Sequence, residues 1–247
     1  MTGLLFFADG GREMAKVEAV HLTPRLQAIA DQIASGARLA DIGTDHAYLP
    51  IWLIENGRVA SAIASDIREG PLARAEENAA RHGCLERISL RLGAGLERVC
   101  AEECDTVSIA GMGGETIADI LAAAPWTAAG EHLLLLQPMT MTAELRCWLW
   151  AHGYEIERES LCREDHRRYV VLTVRGGAPK RNIPLGICCV SPALCKAEGA
   201  AGYLEYVLQR EARALAGMEQ ARDLEPERLA AQRMTVDTLK RSLEELK

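Results

Sequence analysis

The chain has 247 residues, 49% hydrophobic and 26% charged, with a formal net charge of −7. That length allows one large domain with a small appendage, and the composition is ordinary for a globular fold. No apolar run approaches the roughly 18 residues of a bilayer-spanning helix, and the acidic balance argues against a general polyanion binder, though not against a local basic patch.

Met1–Gly11 holds both Phe residues but has neither a basic leader nor a long apolar stretch, so it is expected to be a loose extension rather than a signal peptide. Leu22-Thr23-Pro24-Arg25-Leu26 predicts a helix start, with Thr23 as N-cap and Pro24 at the first helical position. Short apolar runs follow at Arg38–Ile42, Val59–Ser65, Ile88–Leu92, Thr106–Ala110 and His132–Gln137, each bounded by Gly, Asp or Pro. They read as strands buried on both faces. Helix-like stretches at Glu69–His82, Glu115–Ala123 and Met141–His152 alternate with them, which implies crossovers and a mainly parallel sheet. Tyr154–Leu161 and Arg168–Arg175 break the rhythm: they are strand-like, joined by the charged turn Cys162–Arg167, and predict a terminal antiparallel hairpin.

Gly176-Gly177-Ala178-Pro179 interrupts the chain, and the remainder is strongly helical. Leu204, Leu208, Ala212 and Leu215 share one face, while Leu229, Val236, Leu239, Leu243 and Leu246 recur at heptad spacing. Two helices joined near Asp223–Pro226 are expected to pair and to pack on themselves or on the main domain, leaving a monomer. The expected fold class is α/β, a doubly wound, mainly parallel sheet with a terminal antiparallel hairpin, plus a C-terminal coiled-coil-like helical appendage. The expected divisions are 1–21 (extension), 22–177 (main domain) and 178–247 (appendage).

Eight cysteines include Cys100-x3-Cys104 and the adjacent Cys188-Cys189 but no pair of CxxC units. No metal site is expected from these spacings. The thiols read as small residues within apolar segments, which suits a reducing, cytoplasmic setting.

In an open parallel sheet, ligands sit beyond the carboxyl ends of the strands, where strand order reverses. Three sequence signals fall there. Asp41-Ile42-Gly43-Thr44-Asp45-His46 ends the first strand with an acid and a glycine turn, without the three-glycine pattern that cradles a pyrophosphate. Asp66-Ile67 ends the second strand with an acid able to accept hydrogen bonds from ribose hydroxyls. Gly93-Ala94-Gly95 follows the third as a tight turn able to pass over an adenine ring. An acid at a strand end is as often a helix cap, so the ordered set carries the argument rather than any one member. A phosphate-free nucleoside bearing an ammonium and a sulfonium, S-adenosylmethionine, fits the set better than a nicotinamide dinucleotide. Ala110-Gly111-Met112-Gly113-Gly114 then offers a wall free of side chains, or else a closely packed helix start, and Gln137-Pro138 ends the fifth strand with an amide able to meet a base edge.

Together LTPRL, ADIGTDHAYLP, ASDIREGPLARAEEN, IAGMGGETIADIL and LLLLQP resemble the bacterial transfer-RNA (adenine-22 N1) methyltransferase family over about residues 22–175. The resemblance implies a class I methyltransferase fold, S-adenosylmethionine as donor and a tRNA adenine as acceptor. It places Asp41, Gly43, Thr44, Asp45, Tyr48, Asp66, Ile67, Gly93, Ala94, Gly95, Ala110 and Gly111 at the cofactor. Met112, Gly113, Gly114, Gln137 and Pro138 then line the transferred methyl, and Arg25 and His46 face RNA. The charged turn with Arg163, Arg167 and Arg168, the adjoining Tyr169 and Lys180-Arg181 are further RNA-contact candidates read from their charge, for which a solvated surface is the default alternative. Three positions depart from the family pattern: Ala94 replaces an acid, Met139 an Asn, and Val170 a Glu. The alternatives are methylation of another substrate, or an RNA-binding member with weakened catalysis.

Overall fold

The computed structural model describes residues 18–221 and 225–246; Met1–Gly11 and part of the expected Asp223–Pro226 connection lie outside them. In chain order the main elements are α1 (Pro24–Ala30), β1 (Ala37–Ile42), α2 (Tyr48–Glu55), β2 (Val59–Asp66), α3 (Glu69–Arg81), β3 (Ile88–Leu92), β4 (Thr106–Gly113) and α4 (Gly114–Ala123). They continue with β5 (Leu133–Thr140), α5 (Thr142–Ala151), β6 (Glu155–Glu164), β7 (Arg167–Arg175), α6 (Pro192–Cys195), α7 (Ala200–Gln220) and α8 (Pro226–Glu245). One seven-stranded sheet has the order β3-β2-β1-β4-β5-β7-β6. The first five strands are parallel, and β7 runs antiparallel to both β5 and β6. Chain order reverses between β1 and β4, which puts the crevice of a doubly wound sheet at their carboxyl ends.

Side chains alternate across each strand, so the apolar runs feed two cores at once. Ala40, Ile42, Val107, Ile109, Leu134, Leu136 and Leu172 face one way and pack with Ile117, Leu121, Leu145 and Leu149 of α4 and α5. Leu39, Ala62, Ala64, Leu135 and Val171 face the other and meet Ile29 of α1, Ile51 and Leu53 of α2, and Ala75 and Ala79 of α3.

Four expectations are corrected here. The charged Cys162–Arg167 segment is mostly ladder: Cys162 pairs with Tyr169, Arg163 with Arg168 and Glu164 with Arg167, leaving a two-residue turn in which Asp165 takes φ 54°. Polar residues can continue a hairpin at its solvent-exposed tip, so charge was a poor guide to where the strands stop. Helix α2 was not anticipated because Tyr48–Glu55 is apolar nearly throughout and shows no helical stripe; five of its eight residues are buried. The short α6 was likewise missed. Thr23 does stand before Pro24, but its hydroxyl caps nothing and is buried without a partner.

The appendage has its own core, in which Leu204 and Val207 of α7 meet Leu239 and Leu243 of α8 beneath Cys189, Val190 and Leu194. Ala143 of α5 and Leu161 of β6 pack against it, so the helical pair sits on the body of the protein. Gln232 of α8 donates to Glu211 of α7 at both its carbonyl and its carboxylate. The junction is ionic. Arg146 of α5, 2% exposed, forms a two-pronged pair with Glu159 of β6 (Nε–Oε1 2.8 Å, Nη2–Oε2 2.6 Å). Its Nη1 donates to the Cys189 carbonyl at 3.0 Å, and Ser191 Oγ donates to Glu159 at 2.6 Å. Ser191 in turn accepts from the Leu194 N–H and so caps α6. The segment entering the tail is thereby tied to α5 and β6 through the Cys188 and Cys189 carbonyls and the Ser191 hydroxyl.

Removing one member of this pair strands a buried charge, whereas replacing both with apolar residues removes the problem. Arg146→Met and Glu159→Leu are each expected to cost about 3–5 kcal/mol in urea unfolding, and the double variant less than either alone.

Candidate active site at the carboxyl edge of the sheet

Asp41 ends β1 between Ala64 of β2 and Ser108 of β4. Burial raises its carboxyl from 3.8 to about 6, and the neighbouring Thr44 and Ser108 hydroxyls only partly oppose the rise. The turn beyond it is pinned by backbone: Gly43 and Thr44 N–H both donate to the Ser65 carbonyl, at 2.7 and 3.0 Å. Gly43 has φ 77°, and any Cβ there would collide with Met112 Cε, so the β1 turn and the β4 glycine segment are in direct contact. Asn78 of α3 holds the next stretch by donating to the His46 carbonyl at 3.1 Å. Asp45 is exposed near Arg74 (3.6 Å) and His46 (3.4 Å), and the His46 ring stacks on Tyr48 with centroids 5.1 Å apart.

Asp66 ends β2 with its side chain buried, and its Oδ1 accepts the Arg68 N–H at 2.8 Å. Beside it Ile67 is 66% exposed and, across the ladder, Leu92 is 48% exposed. The Gly93 N–H donates to the Asp66 carbonyl at 3.1 Å, and a Cβ on Gly93 would stand 2.6 Å from Arg98. Gly95 takes φ 54° against Ile120. At Ala94, where an acid was expected, Glu97 reaches back so that its Oε2 accepts the Ala94 N–H at 3.3 Å. The edge thus presents a buried acid, a second acid flanked by an apolar shelf, and tight backbone turns between them.

Strand β4 runs on through the glycines, with register shifts between Ala110 and Met112 and between Met112 and Gly113. Gly111 has φ 78°, and Gly114 opens α4 so close to the Met141 carbonyl that a Cβ would overlap it. The contact at Gly114 fits the reading of the segment as a closely packed helix start. Gln137, fully buried, is committed at both ends. Its Oε1 accepts from the Gly111 N–H (3.2 Å) and Arg25 Nη1 (3.4 Å), and its Nε2 donates to the Pro138 carbonyl (3.0 Å). Arg25 also lies 3.7 Å from Glu164 on the hairpin. Met139 Sδ lies 3.6 Å from Gln137 Nε2, and Val170 is a core residue.

The basic candidates divide. Arg163 and Arg167 are exposed at the hairpin tip, on the same edge as Arg25. Arg168 instead donates to the Gly202 carbonyl and lies over the Tyr206 ring at 5.2 Å, so it docks the tail. Tyr169 is 8% exposed within β7 and offers little surface. Arg181 pairs with Glu155 at the start of β6, at the opposite edge of the sheet. Ser65, Asn78, Glu97, Ser108, Met141 and Glu164 also shape the edge. They went unnoticed because contacts between distant strands leave no local pattern; only the acid at 97, three residues after the turn, carried a legible signal.

A family model described as a methyltransferase domain matches residues 22–172. The chain belongs to this methyltransferase-domain family. Similar proteins include the tRNA (adenine(22)-N(1))-methyltransferase of Bacillus subtilis, 40% identical over 156 residues, a match spanning 63% of this chain and 66% of that protein, just short of two thirds of its length. The crystal structure of B. subtilis TrmK, an m1A22 tRNA methyltransferase, superposes with a TM-score of 0.80 at 33% identity, covering 91% of this methyltransferase chain and 99% of TrmK. Streptococcus pneumoniae Sp1610, solved with S-adenosyl-L-methionine, gives a TM-score of 0.76 at 32% identity, covering 90% and 100% of the two chains. The fold expectation of a class I methyltransferase sheet with helical appendage holds.

Gly43→Ala is expected to destabilise this methyltransferase by about 1–3 kcal/mol through its positive φ and the clash with Met112. Adding Met112→Ala should relieve the steric part, seen as a favourable coupling in a double-mutant cycle. Strict additivity would show that the two loops do not meet.

Proposed function

We propose that this protein transfers a methyl group from S-adenosylmethionine to N1 of adenine 22 in tRNA. The observation that supports it most is the acid-tipped edge itself: Asp41 and Asp66 flank a backbone turn with no phosphate cradle. Fit to the cofactor is supported by the buried Ser65 hydroxyl, which has no partner and directly precedes Asp66. Asp66 would take the ribose hydroxyls, Ile67 and Leu92 the purine face, and Asp41 with Thr44 the amino-acid end. Gly43, Asp45, Tyr48, Ala110 and Gly111 complete the lining. Glu97 would supply at the adenine end the carboxylate that Ala94 lacks.

Bound there, the cofactor supplies an electrophilic methyl on a sulfonium. Adenine N1 carries a lone pair at neutral pH, so the chain need not remove a proton. Its task is alignment in a water-poor pocket. Gly111–Gly114 lets the acceptor approach bare backbone, and Gln137, fixed by Gly111 and Arg25, holds that wall in shape beside Pro138. A base within folded RNA must also be turned outward, at a cost of a few kcal/mol. Exposed Arg163 and Arg167, with Arg25 and His46, would hold the surrounding phosphates, and the 178–247 appendage would extend that grip.

Asp66→Ala is expected to abolish S-adenosylmethionine binding in calorimetry; unchanged affinity would remove the cofactor assignment. Because the Asp41 carboxyl is neutral below about pH 6 and ionised above it, it holds an ammonium better as pH rises. Affinity should therefore fall by up to about tenfold per unit below pH 6, and Asp41→Asn should flatten that dependence. With tRNA, log affinity should decline steeply with log salt, and losing Arg163 or Arg167 should each reduce the slope by about 1. Mass spectrometry of the treated tRNA identifies the modified base.

A further inference from the structure

Eight thiols are free in this protein, and two of them meet at one carbonyl in the joint between body and tail. Cys147 on α5 donates to the Ile183 carbonyl at 3.2 Å, and Cys188 donates to the same oxygen at 3.6 Å. Two sulfurs sharing one acceptor are near neighbours. Burial, and after it the hydrogen bond with Cys147, pushes the Cys188 thiol up to about 12, which keeps it protonated and makes it the partner that closes the bridge rather than the thiol that peroxide attacks. The flanking residues hold the backbone still: Arg146 grips the Cys188 and Cys189 carbonyls from the residue beside Cys147. Cys189 points elsewhere, towards the Gly186 and Thr235 carbonyls. Cys147 is half-buried and Cys188 is buried, so an oxidant from solvent meets Cys147 first.

We propose that Cys147 and Cys188 are a peroxide-sensitive dithiol that closes into a disulfide joining α5 to the segment leading into the helical tail. A peroxide transfers oxygen to the Cys147 sulfur, giving a sulfenic acid and releasing an alcohol or water. The Cys188 sulfur then attacks the Cys147 sulfur, the S–O bond breaks, and the departing hydroxide leaves as water with the Cys188 proton. Two electrons pass from the dithiol to the peroxide, and a reducing dithiol reverses the change. The bridge would enclose residues 148–187, including the whole β6–β7 hairpin, and so restrict the unfolded chain. It needs no cofactor and no RNA, and stands whether or not the assigned acceptor is correct.

The test is treatment of the full-length protein with hydrogen peroxide under native conditions, followed by non-reducing digestion and mass spectrometry. Expected is a peptide pair linked through Cys147 and Cys188, with a rise of several degrees in the unfolding midpoint that dithiothreitol reverses. Cys147→Ser should lose both the linked peptide and the shift, whereas replacing exposed Cys100 by Ser should keep both. A disulfide through any other pair, or Cys147 driven to sulfinic acid with no bridge, overturns the proposal. Cys147→Ser alters a half-buried position and leaves the Arg146 pair intact, so a misfolded variant does not stand between the test and its answer.

Discussion

Close backbone approach at the carboxyl ends of β1, β4 and β5 is the constraint on which the site depends. Gly43 admits Met112 against the β1 turn, Gly111 admits Arg25 and the Gln137 amide, and Gly114 admits the Met141 carbonyl. A Cβ would overlap the Met141 carbonyl at Gly114 and Met112 Cε at Gly43, whereas at Gly111 it would only touch Arg25 Nη1. The two positive φ values, at 43 and 111, add a conformational reason to the steric one. What results is a crevice edged by main chain, into which acids can be aimed without competing bulk.

Charge is distributed to match. Asp41 lies buried at the floor of the edge, and burial pushes its carboxyl up to about 6 against the opposing Thr44 and Ser108 hydroxyls. A cationic ligand group would meet an acid that, among the described residues, no cation pairs with. Arg25, by contrast, is drawn between Gln137 and Glu164, so its charge is partly answered before any partner arrives. The hairpin therefore does more than finish the sheet. Its tip contributes Glu164 to the wall and leaves Arg163 and Arg167 exposed beside it.

The Arg146–Glu159 pair plays the corresponding part on the face of α5 turned towards the tail. It ties helix, hairpin and the segment entering the tail into one polar knot where apolar packing alone would allow sliding. Buried ion pairs contribute little net stability against apolar replacements, but removing one partner alone is strongly destabilising. The tail then adds its own small core, and Arg168 fastens α7 to the hairpin through the Gly202 carbonyl and the Tyr206 ring.

Hydrophobic patterning by itself determined the strand sequence, the hairpin and the paired tail helices, because burial on two faces imposes apolar runs and a helix seam imposes heptad spacing, both visible in local composition. It also marked Asp41, Asp66 and the glycine segment, since an acid or glycine interrupting such a run is visible in one dimension. Only the tertiary structure decided where charged segments pair rather than turn, as at 162–164, and that a uniformly apolar stretch, 48–55, is a helix. It alone assigned partners: Arg168 to the tail rather than to solvent, Gln137 to Gly111 and Arg25, Glu97 to the Ala94 amide. Hydrogen bonds and close contacts depend on distances between residues far apart in the chain, and those distances exist only once strand order and crossovers have been fixed by the packing of the whole sheet.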